Sequence, residues 1–196
     1  MSDYNAIVNV GMTLIDLLWN NFDADIKNII SRDQITLSSP EDMADGERLS
    51  LFMYQTTEET FQRNQPTRST WLKNGSQETL GTPLYLNLFY MITPNTKKGE
   101  NDQILLGKVA QIFNENSMLR APQLHKSLAN DGQDMRLIFN PLSLDDINKI
   151  WTVVSKSKPY RSSLYYQITP VRIDSARTQS VRRVIEREIS YSSENV

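Results

Sequence analysis

Apolar residues recur along the chain with two different periods. Between Tyr4 and Asn21 they return every three or four residues, which is the spacing of a helix with a buried face. The same spacing predicts three more helices, over residues 103–114, over residues 122–129 and from Ser143 onward. Ser143 can cap the last of these because its hydroxyl can accept the backbone N–H of Asp146. This pattern predicts three to four helices.

The second period is two residues and predicts strands. From Arg48 to Gln55 both alternating sets are apolar, so we expect both faces of this strand to be covered, as in a central strand. The most regular alternation runs from Leu84 to Ile92. Further strands are predicted over residues 34–38, 135–140 and 162–173. Pro170 lacks a backbone N–H, so it predicts a bulge or an edge position in the last of these.

Two segments carry no single period. Residues 56–82 are mostly polar, and a connection of this length is expected to be either functional or mobile, which makes it a candidate for facing a partner. Residues 174–196 fit a helix and also fit a strand that pairs back as a hairpin, with a frayed end. We predict a single α+β (or mixed α/β) domain with a mainly antiparallel or mixed sheet. Its core spans residues 4–175, and residues 176–196 form an arginine-bearing C-terminal segment.

The composition of the chain excludes several classes of function. The 196 residues are 39% hydrophobic, enough for one core, and the net charge of -2 argues against a general nucleic-acid binder. The absence of cysteine excludes disulfides, thiolate nucleophiles and zinc ribbons. The longest apolar run, residues 84–92, is too short to span a bilayer, and the N-terminus has no basic region typical of a signal peptide. We therefore expect a soluble, intracellular domain without a membrane span.

The sequence also offers little catalytic chemistry. His125 is the only histidine and has no partner at the spacing of metal ligands, so we interpret it as a partly exposed helix residue. The glycines are scattered and form no phosphate-binding loop. Asp145 and Asp146 are explained by the positive end of a helix dipole. We expect no catalytic residue, no cofactor and no metal site.

Charge is unevenly distributed. Residues 23–47 carry seven acidic residues against Lys27 and Arg32, whereas the C-terminal segment carries Arg177, Arg182, Arg183 and Arg187, whose charge is diluted by Glu186 and Glu188. Such stretches are usually solvated faces, but they can also meet an oppositely charged surface. The candidate interface residues are Asp42, Asp45, Glu47, Arg172, Arg177, Arg182, Arg183 and Arg187.

Three stretches in this order resemble a known family. They are residues 82–94 (TPLYLNLFYMITP), residues 105–109 (LLGKV) and residues 137–173, which contain FNPLSLDD, KIW and PYRSSLYYQITPV. Together with the N-terminal helix, the resemblance covers about residues 4–175. The set is similar to the cap, or tail-terminator, proteins of phage-tail-like contractile injection systems.

The resemblance implies a structural protein and no enzyme. Such proteins form a hexameric ring that closes the inner tube and the sheath at the end distal to the baseplate. The implied partners are further copies of this chain, the tube protein and the sheath protein, with assembly in the cytoplasm. An alternative is another structural part of the same particle, such as a tube–baseplate adaptor. We hypothesise that the acidic and arginine-bearing stretches meet between neighbours or between cap and tube, so that charge reversal at Arg182 and Arg183 weakens ring assembly.

Overall fold

A computed structural model describes residues 4–62, 69–71, 77–130, 133–155 and 157–181. The helices are α1 (Ala6–Asn21), α2 (Ala24–Ile29), α3 (Gly99–Glu115) and α4 (Leu144–Val154). The strands are β1 (Ile35–Thr36), β2 (Leu49–Glu58), β3 (Ser69–Trp71), β4 (Gln77–Leu80), β5 (Leu84–Pro94), β6 (Met118–Leu119), β7 (Met135–Phe139), β8 (Leu164–Ile173) and β9 (Thr178–Val181).

Six strands form the main sheet, in the order β1-β2-β5-β8-β7-β6. All neighbours are antiparallel except β1 and β2, so the sheet is mixed. Together with four helices in the described part of the chain, it confirms the predicted α+β single domain. β2 is not the central strand that its pattern predicts, because only the two-residue β1 lies beyond it. The centre is formed by β5 and β8.

The larger part of the core lies between the sheet and helices α1 and α3. Leu14 and Leu18 of α1 and Leu105 of α3 are fully buried there. They meet alternate residues of the central strands, such as Leu88 and Ile168, which are also fully buried. The first helix therefore faces the core with a periodic stripe that includes Ile15 and Leu18, as predicted, whereas Val8, which the same spacing placed on the stripe, is half exposed.

The opposite face of the sheet is covered by α4. Trp151 is the only buried residue of this helix and packs with Met91 and Tyr165. Ser143 caps the helix as predicted, since its Oγ accepts the backbone N–H of Asp146 at 3.2 Å. Because Phe52 and Tyr54 of β2 also join this cluster, both faces of β2 are covered, as its pattern predicts.

A second sheet, in the order β3-β4-β9, lies where the sequence predicted a long connection and an ambiguous C-terminus. β4 precedes β5 and β9 follows β8, and the two pair in antiparallel fashion from Leu80↔Thr178 to Gln77↔Val181. The segment 56–82 is therefore not structureless in its described parts. β9 is a strand, but it pairs with β4 and forms no hairpin with the strand before it. The proposed division of the chain at residue 175 stays a prediction.

Three further details differ from or refine the sequence prediction. The helix predicted over residues 122–129 is instead two 3-10 turns, Ala121–Gln123 and Lys126–Asn130, and Lys126 begins the second turn with a positive φ of 48°, which a continuous helix does not allow. The short helix α2 and the two-residue strand β6 were not predicted. Pro170 does mark a bulge, since the pairing moves from Leu86↔Val171 to Leu88↔Ile168 around it.

Candidate functional site

The candidate acidic residues Asp42, Asp45 and Glu47 lie in one turn, residues 39–47, which connects β1 to β2 and which we call the acidic turn. Asp42 is exposed, and its carboxylate accepts a hydrogen bond from Ser39 Oγ at 2.6 Å. Glu47 accepts the backbone N–H of Ala44 at 2.9 Å. These bonds order the backbone of the turn and leave the charges of Asp42 and Asp45 at the surface.

The acidic turn is held by the segment that follows α4. Ser157 Oγ donates to Glu41 at 2.5 Å, and this hydrogen bond is the main cause that holds the pKa of Glu41 below its ordinary value. Lys158 Nζ donates to the backbone carbonyl of Glu41 at 2.6 Å and to that of Pro40 at 3.1 Å. The turn is therefore a positioned element of the fold, joined to residues more than a hundred positions away.

The candidate arginines are placed differently from one another. Arg172 is only 6% exposed and forms an ion pair with Asp174 within the same chain. Arg177 is exposed at the surface. Arg182, Arg183 and Arg187 lie outside the described residues. Sequence alone does not reveal the burial of Arg172, because arginine is ordinarily a surface residue.

The two charged regions lie at opposite ends of the main sheet. The acidic turn leads into Leu49, which pairs with Pro94 at the end of β5. Arg172 and Arg177 flank the end of β8, where Ile173 pairs with Leu84 at the start of β5. A strand of about ten residues spans roughly 33 Å, so within one chain Arg172 and Arg177 lie far from the acidic turn. Contact between them would have to join two molecules.

Catalytic chemistry is sparse in the described part of the chain. No group of three or more His, Cys, Asp or Glu side chains could hold a metal ion there. His125 is partly exposed, and its Nε2 lies 3.9 Å from Asp16 Oδ2. Asp146 is engaged by Ser143 Oγ, which lowers its pKa, at the start of α4. Among the described helices, none has the length and apolar character to cross a bilayer.

A groove beside α4 is a feature that the sequence analysis missed. It encloses about 420 Å³ between the helix and β2 and is lined by Tyr54, Leu142, Ile150 and Val153, among others. Val153 is 77% exposed and Leu144, at the start of the helix, is 82% exposed. The sequence did contain a signal for this groove. Val153 and Leu144 are apolar but lie outside the stripe of α4 that packs on the sheet, and exposed apolar residues of this kind often line a groove.

The model of the Pvc16 N-terminal domain family matches residues 9–187, nearly the whole chain. The chain belongs to the Pvc16 N-terminal domain family. This domain is similar in fold to the sheath/tube terminator of the PVC extracellular contractile injection system in its extended state. The TM-score is 0.65 at 17% identity, over 97% of this chain and 64% of that one.

A second similar structure is the tube-terminating cap of the anti-feeding prophage. Here the TM-score is 0.62 at 16% identity, over 94% of this chain and 61% of that one. This Pvc16 N-terminal domain chain thus spans less than two thirds of the length of both structures. No curated protein sequence matches it.

Proposed function

We propose that the protein is a cap, or terminator, of a contractile injection particle. It forms a ring at the end distal to the baseplate, where it closes the inner tube and the sheath and ends their polymerisation. The observation that carries this proposal is its membership of the Pvc16 N-terminal domain family, together with a fold shared with a sheath/tube terminator and a tube-terminating cap.

The proposed role is structural and not enzymatic. A terminator works by presenting surfaces that bind the last ring of a polymer and offer no site for the next. The fold is compatible with this role, because the acidic turn is held in place and presents Asp42 and Asp45 at the surface. The partners are further copies of the chain, the tube protein and the sheath protein, with assembly in the cytoplasm before the particle is complete.

We propose a hexameric ring, in which each copy uses two different surfaces. A closed ring built by rotation needs complementary patches on opposite sides of each subunit. The acidic turn and the C-terminal arginines offer charges of opposite sign, and the acidic turn lies at the far end of the sheet from Arg177. Charge reversal at Arg182 and Arg183 is expected to weaken ring assembly or the contact with the tube.

The test measures mass and capping with the full chain. Light scattering on the purified protein is expected to give about six times the chain mass of 22.6 kDa, with six-fold rings in negative-stain images. If the chain alone is a monomer, mixing with tube protein is expected to give capped tubes of limited length. Tubes that grow equally long with and without the chain would contradict the proposal. Reversal of the exposed Lys97 and Lys98 is the matched control for the arginine variant.

A further inference from the structure

The outer side of β2, which we call the β2 edge, is bordered by two apolar grooves. β1 pairs only with Leu49 and Ser50, and no other strand in the described part of the chain pairs with this side of β2. On the α1 side of the sheet, a groove of about 280 Å³ is lined by Val8 and Met53, among others. On the α4 side lies the groove of about 420 Å³, which Gln55 helps to line. The β2 edge therefore has room for apolar side chains of another molecule on both faces.

The opposite side of the sheet, which we call the β7 edge, carries exposed apolar side chains. β6 covers the outer side of β7 only as far as Leu137, whose backbone N–H donates to the carbonyl of Ser117 at 2.8 Å. Directly beyond this point, Ile138 is 41% exposed and Phe139 is 53% exposed. Phe139 packs edge-on against Tyr166 on the α1 side of the sheet, so the preceding Ile138 points to the α4 side. The β7 edge therefore presents one apolar side chain on each face.

The register of the sheet places these side chains at the height of the two grooves. Ile138 is level with Gln55, which lines the groove on the α4 side. Phe139 is level with Met53, which lines the groove on the α1 side. The strand pairs that connect these positions are Ile138↔Gln167, Gln167↔Phe89 and Phe89↔Gln55, and Phe139↔Tyr166, Tyr166↔Tyr90 and Tyr90↔Met53. Each exposed side chain thus matches a groove in both height and face.

We propose that copies of this chain stand side by side in the ring, with the β7 edge of one copy against the β2 edge of the next. The inference rests on the proposed function, since it describes how neighbours in the ring are joined. Ile138 enters the groove on the α4 side of the neighbour, and Phe139 enters the groove on the α1 side. Because β6 occupies part of the β7 edge, the contact is made by side chains and not by a continuous ladder of backbone hydrogen bonds.

A second copy fits this position better than an unrelated partner, because one chain carries both halves of the contact. The two edges are different surfaces on opposite sides of the same sheet. Contacts between them are therefore head to tail, and each copy keeps one edge free for the next. Head-to-tail contacts of this kind close into a ring when the rotation between neighbours allows it.

Charge also favours the pairing of these two edges. Residues 117–139 carry three lysines or arginines and two aspartates, whereas residues 49–59 carry two glutamates and no basic side chain. Arg136 is exposed on the β7 edge, close to the height of Glu58 on β2. Glu59 accepts the backbone N–H of Phe61 in its own chain, so we expect attraction between the edges and no direct ion pair with Glu59.

This arrangement also determines where the charged ends of the sheet lie in the ring. When neighbours stand side by side, their strands run from one rim of the ring toward the other. The acidic turn and Arg177 lie at opposite ends of the strands and therefore at opposite rims. Of the two contacts considered for the charged stretches, the arrangement favours the one between cap and tube.

The native chain contains no cysteine, which allows a clean cross-linking test. One population carries Gln55→Cys and a second carries Arg136→Cys, at exposed positions that leave Ile138 and Phe139 intact. The two are mixed, with and without tube protein, and treated with a flexible bis-maleimide. We expect a covalent dimer from the mixture and not from either population alone. The control mixture carries Asp45→Cys and Arg177→Cys, which are also exposed but lie at opposite ends of the strands.

The cross-links and the capping of tubes are read separately. A dimer from the control mixture and none from the first mixture would show that opposite strand ends meet, and would overturn the side-by-side arrangement. Capped tubes without the first cross-link would also overturn it and would leave the terminator function standing. Cross-linked rings that leave tube length unchanged would support the arrangement and contradict the terminator function. A dimer from Gln55→Cys alone would indicate a two-fold contact and would exclude head-to-tail joining.

A second variant tests the groove without disturbing the fold. Val153→Glu places a charge in the groove that receives Ile138, and because Val153 is 77% exposed the isolated chain should fold normally. We expect ring formation, or the cross-link yield on capped tubes, to fall by roughly tenfold or more, as for a charge buried without a partner. Asn148→Glu, at an exposed position of the same helix outside this groove, is the control and should leave assembly unchanged. Equal assembly of both variants would overturn the assignment of this groove.

Discussion

The two faces of the main sheet are covered by helices that are buried to very different extents. On one face, α1 buries most of its inward residues, including Leu14 and Leu18, and α3 adds Phe113. On the other face, Trp151 is the one buried residue of α4, while Val153 and Leu144 are largely exposed. Burial of apolar area is the main source of folding free energy. The α1 face therefore contributes most of the buried core, and the α4 face keeps apolar side chains exposed at the surface.

A matched pair of leucine substitutions tests this difference most strongly. Leu14→Ala on α1 removes a fully buried side chain and is expected to lower the free energy of unfolding by about 3 kcal/mol. Leu144→Ala on α4 removes a side chain that is 82% exposed and should change it by less than about 0.5 kcal/mol. Urea denaturation of both variants measures the contrast. Similar losses would show that α4 is also a core helix.

Substitution of two adjacent tyrosines tests how much a side-chain hydroxyl group contributes to stability on each face of the sheet. Tyr165 faces α4, and its hydroxyl accepts a hydrogen bond from Trp151 Nε1 at 3.2 Å in a buried position. Tyr165→Phe leaves that indole N–H without its acceptor and should cost about 1–2 kcal/mol. Tyr166 faces the α1 side and packs edge-on against Phe113. Tyr166→Phe keeps the ring contact, so we expect a change within about 0.5 kcal/mol. The reverse order, measured by denaturation, would contradict this assignment.

The smallest expected effect concerns the link between the α4 side and the acidic turn. The pKa of Glu41 is lowered in the folded chain, chiefly by the hydrogen bond from Ser157. Its contribution to stability is therefore present above the ordinary glutamate pKa of about 4.3 and is lost as the pH falls through the lowered value. Stability curves between about pH 6 and pH 2 should fall less steeply for Glu41→Gln than for the native chain. Parallel curves would show that the hydrogen bond between Ser157 and Glu41 contributes nothing measurable to the stability of the fold.

Much of the fold could be predicted because the strongest patterns coincide with the most buried elements. The stripe of α1, the alternation of β5 and the cap at Ser143 all follow from local spacing and side-chain chemistry. Pro170 indicated its bulge because it lacks a backbone N–H. The α+β class follows from these elements together.

The remaining features depend on contacts that a linear pattern does not encode. Helix α2 has six residues and one buried side chain, Ile26, too few to establish a period. The conformation of the turns around residue 125 depends on a tertiary contact, since the backbone N–H of His125 donates a hydrogen bond to Thr13 on α1. Arg172 was expected at an interface and is buried against Asp174, a pairing set by the end of β8. The groove between α4 and β2 depends on how that helix meets the sheet.

The pairing of β5 with β8 also has a consequence for biosynthesis. These two strands form the middle of the main sheet, yet Leu84 pairs with Ile173, so nearly half of the chain lies between the start of one and the end of the other. Sequence-distant pairs form slowly, because a long loop must close before any contact is gained. The central sheet therefore cannot be completed until residue 173 has emerged from the ribosome. An unfinished chain lacks the complete sheet on which α1 and α3 pack, so the core cannot close until translation has passed β8.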